Sequence, residues 1–243
     1  METFVISLSR TPQRYRQFAQ ANAAHANVIR VDAEDGRQHP IEDLQASRIV
    51  SGELMFTPGA IGNALSHRKL WQHAIERNES ITVCEDDALL HDDFQSESQR
   101  LLSSLHGAWD LVMWGWNFDA ILLANAQTPL SAFLIQCNQD EMRGNKMSYL
   151  RRPVQPTLLR LRGAFGTVCY SISAQGARKF MKMCFPLKQS TLSFPEINFY
   201  MPVGALDAVM CMHYTDALAF VSFPPLAVTD NDHGASTVQT EFS

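Results

Sequence analysis

Residues 80–87 read Ser-Ile-Thr-Val-Cys-Glu-Asp-Asp. The first five are small or β-branched and predict a buried strand, and three carboxylates close it. In open α/β sheets, ligands bind beyond the carboxyl ends of the strands. In an extended stretch Glu85 and Asp87 point one way and Asp86 the other. Three adjacent carboxylates repel one another unless a cation or hydrogen-bond donors compensate. Mg²⁺ or Mn²⁺ fits such a run, because these ions take one or two carboxylates and fill their remaining positions with water and phosphate oxygens. An acid-x-acid pair therefore suits a diphosphate–metal unit. A solvated turn whose Asp caps the next helix is the other reading of the same residues.

Outward from this run, strand-like and helix-like stretches alternate. Upstream, a strand over 4–8 precedes a helix from Pro12 to about Ala24, then a strand over 28–31 and an acidic turn, Asp32 to Gly36. Thr57-Pro58-Gly59 opens a helix over 60–77, where Ile61, Ala64, Leu65, Trp71 and Ile75 recur at helical spacing. Downstream come a helix over 92–105, a strand over 110–114 and a strand-like stretch over 163–171. Ser173 then caps a helix, 207–214 forms a short helix, and 217–222 forms the last strand. The alternation predicts an α/β fold in one domain, with a mostly parallel Rossmann-type central sheet flanked by helices. The stretch 118–162 reads as an insertion, and the tail 231–243 is polar.

The chain has 243 residues, of which 46% are hydrophobic, enough for an ordinary core. No stretch of about 18 apolar residues is free of charge, and the longest apolar candidate, Ala217 to Val228, is broken by Pro224 and Pro225. With 20 Lys and Arg against 25 Asp and Glu, the chain is no general nucleic-acid binder. Its positive charge is uneven. Residues 142–195 contain no acid and ten bases, Arg143, Lys146, Arg151, Arg152, Arg160, Arg162, Arg178, Lys179, Lys182 and Lys188. That segment predicts either a surface for phosphates or anionic lipid, or a solvated face. Five cysteines with no CxxC pair suggest a reducing compartment. The strand beginning almost at Met1 leaves no room for a signal peptide, so a cytoplasmic location is expected.

Other candidates follow from position. Gly59 and Gly62 flank a helix start, where free backbone N–H groups favour anions, but no Gly-Lys-Ser/Thr companion makes it a P-loop. Ser66 and His67 sit one turn in, and adjacent helical residues do not face each other, which argues against a nucleophilic pair. His67 is either a ligand or packing. Arg10 and Arg14, four apart, share a helical face and either neutralise a phosphate or meet solvent. Trp114 and Trp116 fall on one side of a continuing strand and either stack on a sugar or base or fill the core. Asp207 opens a helix as a cap or as a general base, with Asp119 the weaker rival.

Taken in order, these stretches resemble glycosyltransferase family 25, the lipooligosaccharide galactosyltransferases related to the collagen galactosyltransferases. The matching pieces are FVISLSRTPQRYRQF (4–18), VDAEDGR (31–37), TPGAIGNALSHRKLWQHAI (57–75), ITVCEDDALLHDDF (81–94), GTVCYSISAQGARKFM (166–181) and PVGALDAVM (202–210). The resemblance implies a bacterial, cytoplasmic enzyme with a GT-A-like fold. It implies a UDP-hexose donor, often UDP-galactose, transferred with inversion to a glycan or glycolipid such as a lipopolysaccharide core. Carried onto this sequence, it places Glu85 and Asp86 at the nucleotide sugar, and Asp87, Glu85 and His233 on a Mn²⁺ or Mg²⁺ ion. Arg10, Arg14, Ser66 and His67 fall near the donor, and Asp207 becomes the base. It divides the chain into a donor half (1–117), the insertion (118–162), assigned acceptor specificity, and an acceptor-side half (163–230). The basic segment 143–188 would then draw the enzyme to an anionic acceptor or to the inner membrane face. Two departures stand out: Asn63 replaces a Cys, and Gly204-Ala205-Leu206 changes the spacing before Asp207. A sugar-nucleotide-binding protein without transfer and a metal-dependent nucleotidyltransferase are the rival readings.

Overall fold

The structure is a computed structural model, described here over residues 1–25, 27–126, 131–232 and 234. The chain begins with β1 (Glu2–Ser7), α1 (Pro12–Ala21) and β2 (Val28–Asp32), followed by a 3₁₀ turn at Gly36–Gln38. Next come α2 (Ile41–Ala46), β3 (Val50–Ser51), α3 (Pro58–Arg77), β4 (Ile81–Glu85), β5 (Ala88–Leu90) and α4 (Phe94–Ser104). The middle of the chain forms β6 (Leu111–Gly115), β7 (Ile121–Asn125), β8 (Ala132–Gln136), α5 (Gln139–Leu150) and β9 (Thr157–Gly163). The remainder is β10 (Cys169–Ile172), α6 (Ala174–Cys184), β11 (Leu187–Lys188), β12 (Thr191–Phe194), β13 (Phe199–Pro202), α7 (Leu206–Cys211), β14 (Ala219–Phe223) and β15 (Ala227–Thr229).

Helix boundaries follow local chemistry. Thr57 caps α3 by accepting from the Ala60 N–H at 3.0 Å, with Pro58 in the first turn, and Asn78 in the left-handed region ends it. Ser173 caps α6 in the same way, accepting from the Gly176 N–H at 2.9 Å.

Nine strands form one sheet in the order β2-β1-β4-β10-β6-β14-β9-β7-β8. The expected mostly parallel sheet is corrected to a mixed one. Only β2–β1, β1–β4 and β6–β14 run parallel. β10 enters antiparallel between β4 and β6, and β14–β9, β9–β7 and β7–β8 are antiparallel too. A strand buried on both faces, such as Cys-Tyr-Ser-Ile, carries no pattern that fixes its direction. The short connection from β7 to β8 permits only antiparallel pairing.

Three further expectations change. The run over 163–171 is not one strand: Gly163 ends β9, and a loop over 164–168 turns into β10. The strand over 217–222 is not the last, because β15 follows and pairs with β5. Trp114 and Trp116 do not share a face. Cys169 faces Gly115 while Tyr170 faces Met113, so β6 carries an extra residue there, and alternation breaks at this bulge. Trp114 packs with Phe94, and Trp116 lies in the opposite core with Phe118. Both indoles are fully buried, which removes them as sugar-stacking platforms.

The core lies on both faces of the sheet. Phe4, Ile6, Val83, Leu111 and Tyr170 pack under α3 and α6 on one side, and Val5, Cys84, Val112 and Cys169 meet Phe18 of α1 and Phe94 of α4 on the other. Against α3, the turn at Gly36–Gln38 approaches backbone to backbone. A Cβ on Gly36 would lie 1.8 Å from the Pro58 carbonyl oxygen, and one on Gly62 would lie 2.4 Å from that of Glu34. The segment 118–162 contributes β7, β8 and most of β9 to one edge of the sheet, with α5 between. Among the described residues no helix is long and apolar enough to cross a membrane.

Candidate functional site

Parallel pairing of β1 and β4 sets Ile6 beside Glu85, so both strands deliver their carboxyl ends to one edge of the sheet. Ser7 and the run Glu85-Asp86-Asp87 meet there. Asp86 is buried and turns toward β1 and α1. It accepts from the Ser7 hydroxyl at 2.7 Å and from Arg14 Nε and Nη2 at 2.7 and 2.6 Å. Such charge-assisted bonds fix the turn from β1 into α1. Arg14 also reaches Asp87 Oδ2 at 3.4 Å. Arg10 precedes α1 and so does not share a helical face with Arg14; it pairs with Asp35 at 3.2 Å. Arg37, donating to Asp35, holds that carboxyl down at about 2. Arg10, Arg14, Glu34, Asp35 and the acidic run line a small pocket of about 90 Å³.

Glu85 and Asp87 also open onto a second cleft, of about 700 Å³, which Asp86 does not line. Two donors converge on Glu85 Oε1, Thr167 Oγ1 at 2.5 Å and Asn63 Nδ2 at 3.0 Å, and His67 Nε2 lies 3.5 Å from the same oxygen. Burial pushes Glu85 up, but His67, Thr167 and Asn63 outweigh it and hold the carboxyl below the usual carboxylate range. Asp87 behaves oppositely. Burial and the charge of Glu85 push it up to about 7, against the pull of Arg14. Its Oδ1 is enclosed and makes no hydrogen bond among the described residues.

Asp207 lies in the first turn of α7 and lines the same cleft. Its Oδ2 accepts from the Gly166 N–H and its Oδ1 from the Ala208 N–H, both at 2.8 Å. Burial raises its proton affinity, the two backbone N–H groups oppose this, and Glu85 adds to the rise. Gly166 has φ +84°, and a Cβ there would lie 2.3 Å from Asn117 Oδ1, so the loop between β9 and β10 requires glycine. Asp119, the weaker rival, is exposed at the rim of the cleft.

Other sequence candidates take different places. Ser66 donates to the Gly62 carbonyl at 2.7 Å and accepts from the Glu34 N–H at 2.8 Å, bracing the turn after β2 against α3. His67 is wholly buried and reaches the site through Glu85 alone. His233 lies outside the described residues. Four bases of the basic segment have acidic partners: Arg143 pairs with Asp140, Lys146 with Asp230, Arg162 with Glu196 and Lys179 with Asp110. Asn63, Asn117 and Thr167 escaped the sequence reading as site residues. Asn63 carried one usable signal, standing one helical turn before His67.

Among the described residues no three His, Cys, Asp or Glu side chains are placed to hold an ion alone. Glu85 and Asp87 nevertheless fit a hard divalent cation that draws its remaining ligands from water and phosphate. That fit rests on the enclosed oxygen of Asp87, which has no hydrogen-bond partner among the described residues.

A family model described as glycosyltransferase family 25 (LPS biosynthesis protein) matches residues 1–195. The chain belongs to glycosyltransferase family 25. Among curated members, it is 28% identical over 191 residues to the mouse (Mus musculus) protein named inactive glycosyltransferase 25 family member 3, a match covering 74% of this chain and 28% of that one. The human (Homo sapiens) protein of the same name is 30% identical over 128 residues, covering 47% of this chain and 21% of that one. The chain thus spans under a third of the length of these family 25 relatives. Among solved structures, A197 from STIV aligns with a TM-score of 0.38 at 11% identity, over 91% of this chain and 81% of that one. The family 25 match takes in β1, α3 and β4 with the acidic run, and stops before Asp207.

Proposed function

We propose that this chain is an inverting glycosyltransferase with a GT-A-like arrangement of its sheet. It moves a hexose, with galactose the first candidate, from a UDP-sugar to a hydroxyl of a glycan or glycolipid. One observation carries the reading: Glu85 and Asp87 both face the 700 Å³ cleft from the end of β4, and Asp87 keeps an enclosed oxygen without a partner. Family membership supports the reaction class, and the choice of UDP and galactose rests on the resemblance of the sequence motifs.

In the reaction, the acceptor oxygen bonds to the anomeric carbon as the bond from that carbon to the phosphate oxygen breaks. When bound, a Mn²⁺ or Mg²⁺ ion neutralises charge on the leaving diphosphate. Glu85 stays ionised, held by Asn63 and Thr167, and presents a fixed negative edge to the cleft. Arg14 offsets the charge of Asp86 and Asp87. Asp207 receives the proton of the acceptor hydroxyl, and its raised proton affinity suits that task. Phe165 and Phe199, with ring centroids 6.0 Å apart, form an apolar wall that limits water at the reacting bond.

The test is thermal unfolding with UDP, with and without Mn²⁺. Ligand at about 100 times Kd adds roughly 2.7 kcal/mol, or about 5–10 °C for a chain of this size. The rise is expected only with both present, and is expected to vanish in Asp87→Ala. A chain that shows no rise with any nucleotide has no such site. Asp207→Asn should then lower kcat by roughly 10²–10⁴-fold while UDP still binds. Unchanged turnover would remove Asp207 as the base.

A second reading, sugar-nucleotide binding without transfer, draws on the occupation of both Asp207 oxygens by backbone N–H groups. The matched curated relatives are also named inactive. Metal-dependent UDP binding without any sugar transfer to a panel of acceptors would favour it.

A further inference from the structure

His67 and Trp71 stand one turn apart on the buried face of α3, and Tyr170 of β10 lies against both. All three side chains are wholly enclosed. Trp71 Nε1 is 2.8 Å from the Tyr170 hydroxyl, and that hydroxyl is 2.8 Å from His67 Nδ1. On the far side of the imidazole, Nε2 has no hydrogen-bond partner among the described residues and lies 3.5 Å from Glu85 Oε1.

The direction of this chain is fixed by its first member. An indole N–H only donates, so the Tyr170 oxygen accepts from Trp71. The phenol proton is then free to go to His67 Nδ1. A nitrogen that accepts there leaves its proton on Nε2, facing the carboxylate. The opposite tautomer would strand the phenol proton and turn the Nε2 lone pair toward a negative oxygen. Both faults would be buried, where unmatched polar groups are costly.

We propose that Trp71 and Tyr170 are positioning residues: they hold His67 as the Nε2–H tautomer, and that N–H, with Asn63 and Thr167, aims Glu85 into the cleft. Asn63 and Thr167 donate to Oε1 and His67 Nε2 lies 3.5 Å from that same oxygen, so the carboxylate is held through one oxygen and its edge toward the cleft is set. His67 therefore acts behind the site rather than on the donor. The functional part rests on the reading of Glu85 as a donor-site carboxylate.

The experiment is long-range ¹H–¹⁵N NMR of the histidines in the whole chain, with His67 assigned by its loss in His67→Asn. It is paired with calorimetric binding of UDP in the presence of Mn²⁺. Wild type is expected to show a protonated Nε2 and a bare Nδ1. Tyr170→Phe keeps the ring and removes the hydroxyl. It is expected to lose the single tautomer and to weaken binding 10–100-fold, the range for a lost partner behind a metal ligand. If that variant does not fold, Trp71→Phe, which removes the directing donor together with part of the ring volume, makes the same test through the His67 tautomer. A wild-type His67 protonated on Nδ1 overturns the proposal. So does a changed tautomer with unchanged affinity. If the wild type binds no UDP under any condition, the donor-site reading fails, and the tautomer alone then decides whether the relay runs in the stated direction.

Discussion

Asp87 is the carboxylate whose charge the fold resists most visibly, and this has a measurable sign. In an unfolded chain it titrates near 3.9; in the fold it is pushed up to about 7. The folded protein thus holds this proton more tightly than the unfolded one. The stability so gained is complete below about pH 4 and is lost as pH rises through 7. A three-unit gap corresponds to about 4 kcal/mol, and screening at a partly exposed side chain reduces the expectation to about 1 kcal/mol. Melting temperatures of wild type and Asp87→Asn, compared at pH 5 and pH 8, check this: the variant should lose part of the decline, and parallel slopes would refute it. Glu85 has the opposite sign. Held below its usual range, it contributes stability that is present near neutral pH and is lost as pH falls below about 4. The three acids were legible in the sequence, because consecutive carboxylates after an apolar strand are conspicuous. The groups that divide their roles were not. Asn63 and Thr167 lie 22 and 82 positions from Glu85, and nothing local joins them.

At the scale of elements, the contact between α3 and the turn at Gly36–Gln38 shapes the small pocket. Ser66 and the glycine pair Gly36 and Gly62 bring two backbones together there. Gly36→Ala places a methyl group against the Pro58 carbonyl and should cost about 1–3 kcal/mol or more in chemical denaturation. Gly144→Ala, in the exposed interior of α5 with open space around it, should instead stabilise by about 0.5–1 kcal/mol. Opposite signs for two Gly→Ala changes would separate close approach from helix propensity. Helix starts were well read from the sequence, because Thr57, Pro58 and Ser173 act within their own turn. Strand ends were read less well. The bulge at Trp114 and the loop over 164–168 depend on what lies opposite, and a single strand does not carry that information.

For the whole molecule, an α/β fold with flanking helices was legible, and the direction of its strands was not. The basic segment shows the same limit. Its charges are contiguous in sequence, yet folding sends Lys146 to Asp230 and Lys179 to Asp110. The sheet order has a comparable reach. β10 fills the gap between β4 and β6, and β14 fills the gap between β6 and β9. A chain ending at residue 195 keeps the matched family region but lacks β14. Leu111, Val112 and Met113 of β6 then lose their partners Ala219, Phe220 and Val221. Such a fragment should fail to fold cooperatively, seen as lost near-ultraviolet circular dichroism and rapid proteolysis; a sharp two-state melt would contradict this.

The same interleaving sets a timetable. On the ribosome, β1, β2 and β4 emerge early, but the seam beside β4 stays open until Cys169–Ile172 arrives, and the seam beside β6 until Ala219–Phe223 follows. Until those strands arrive, the nascent chain therefore carries exposed strand edges in what becomes the middle of the sheet. That is a state prone to wrong pairing and one on which chaperones act. Two strands made late, β10 and β14, close gaps inside the sheet, so the sheet cannot be completed until Ala219–Phe223 has been made.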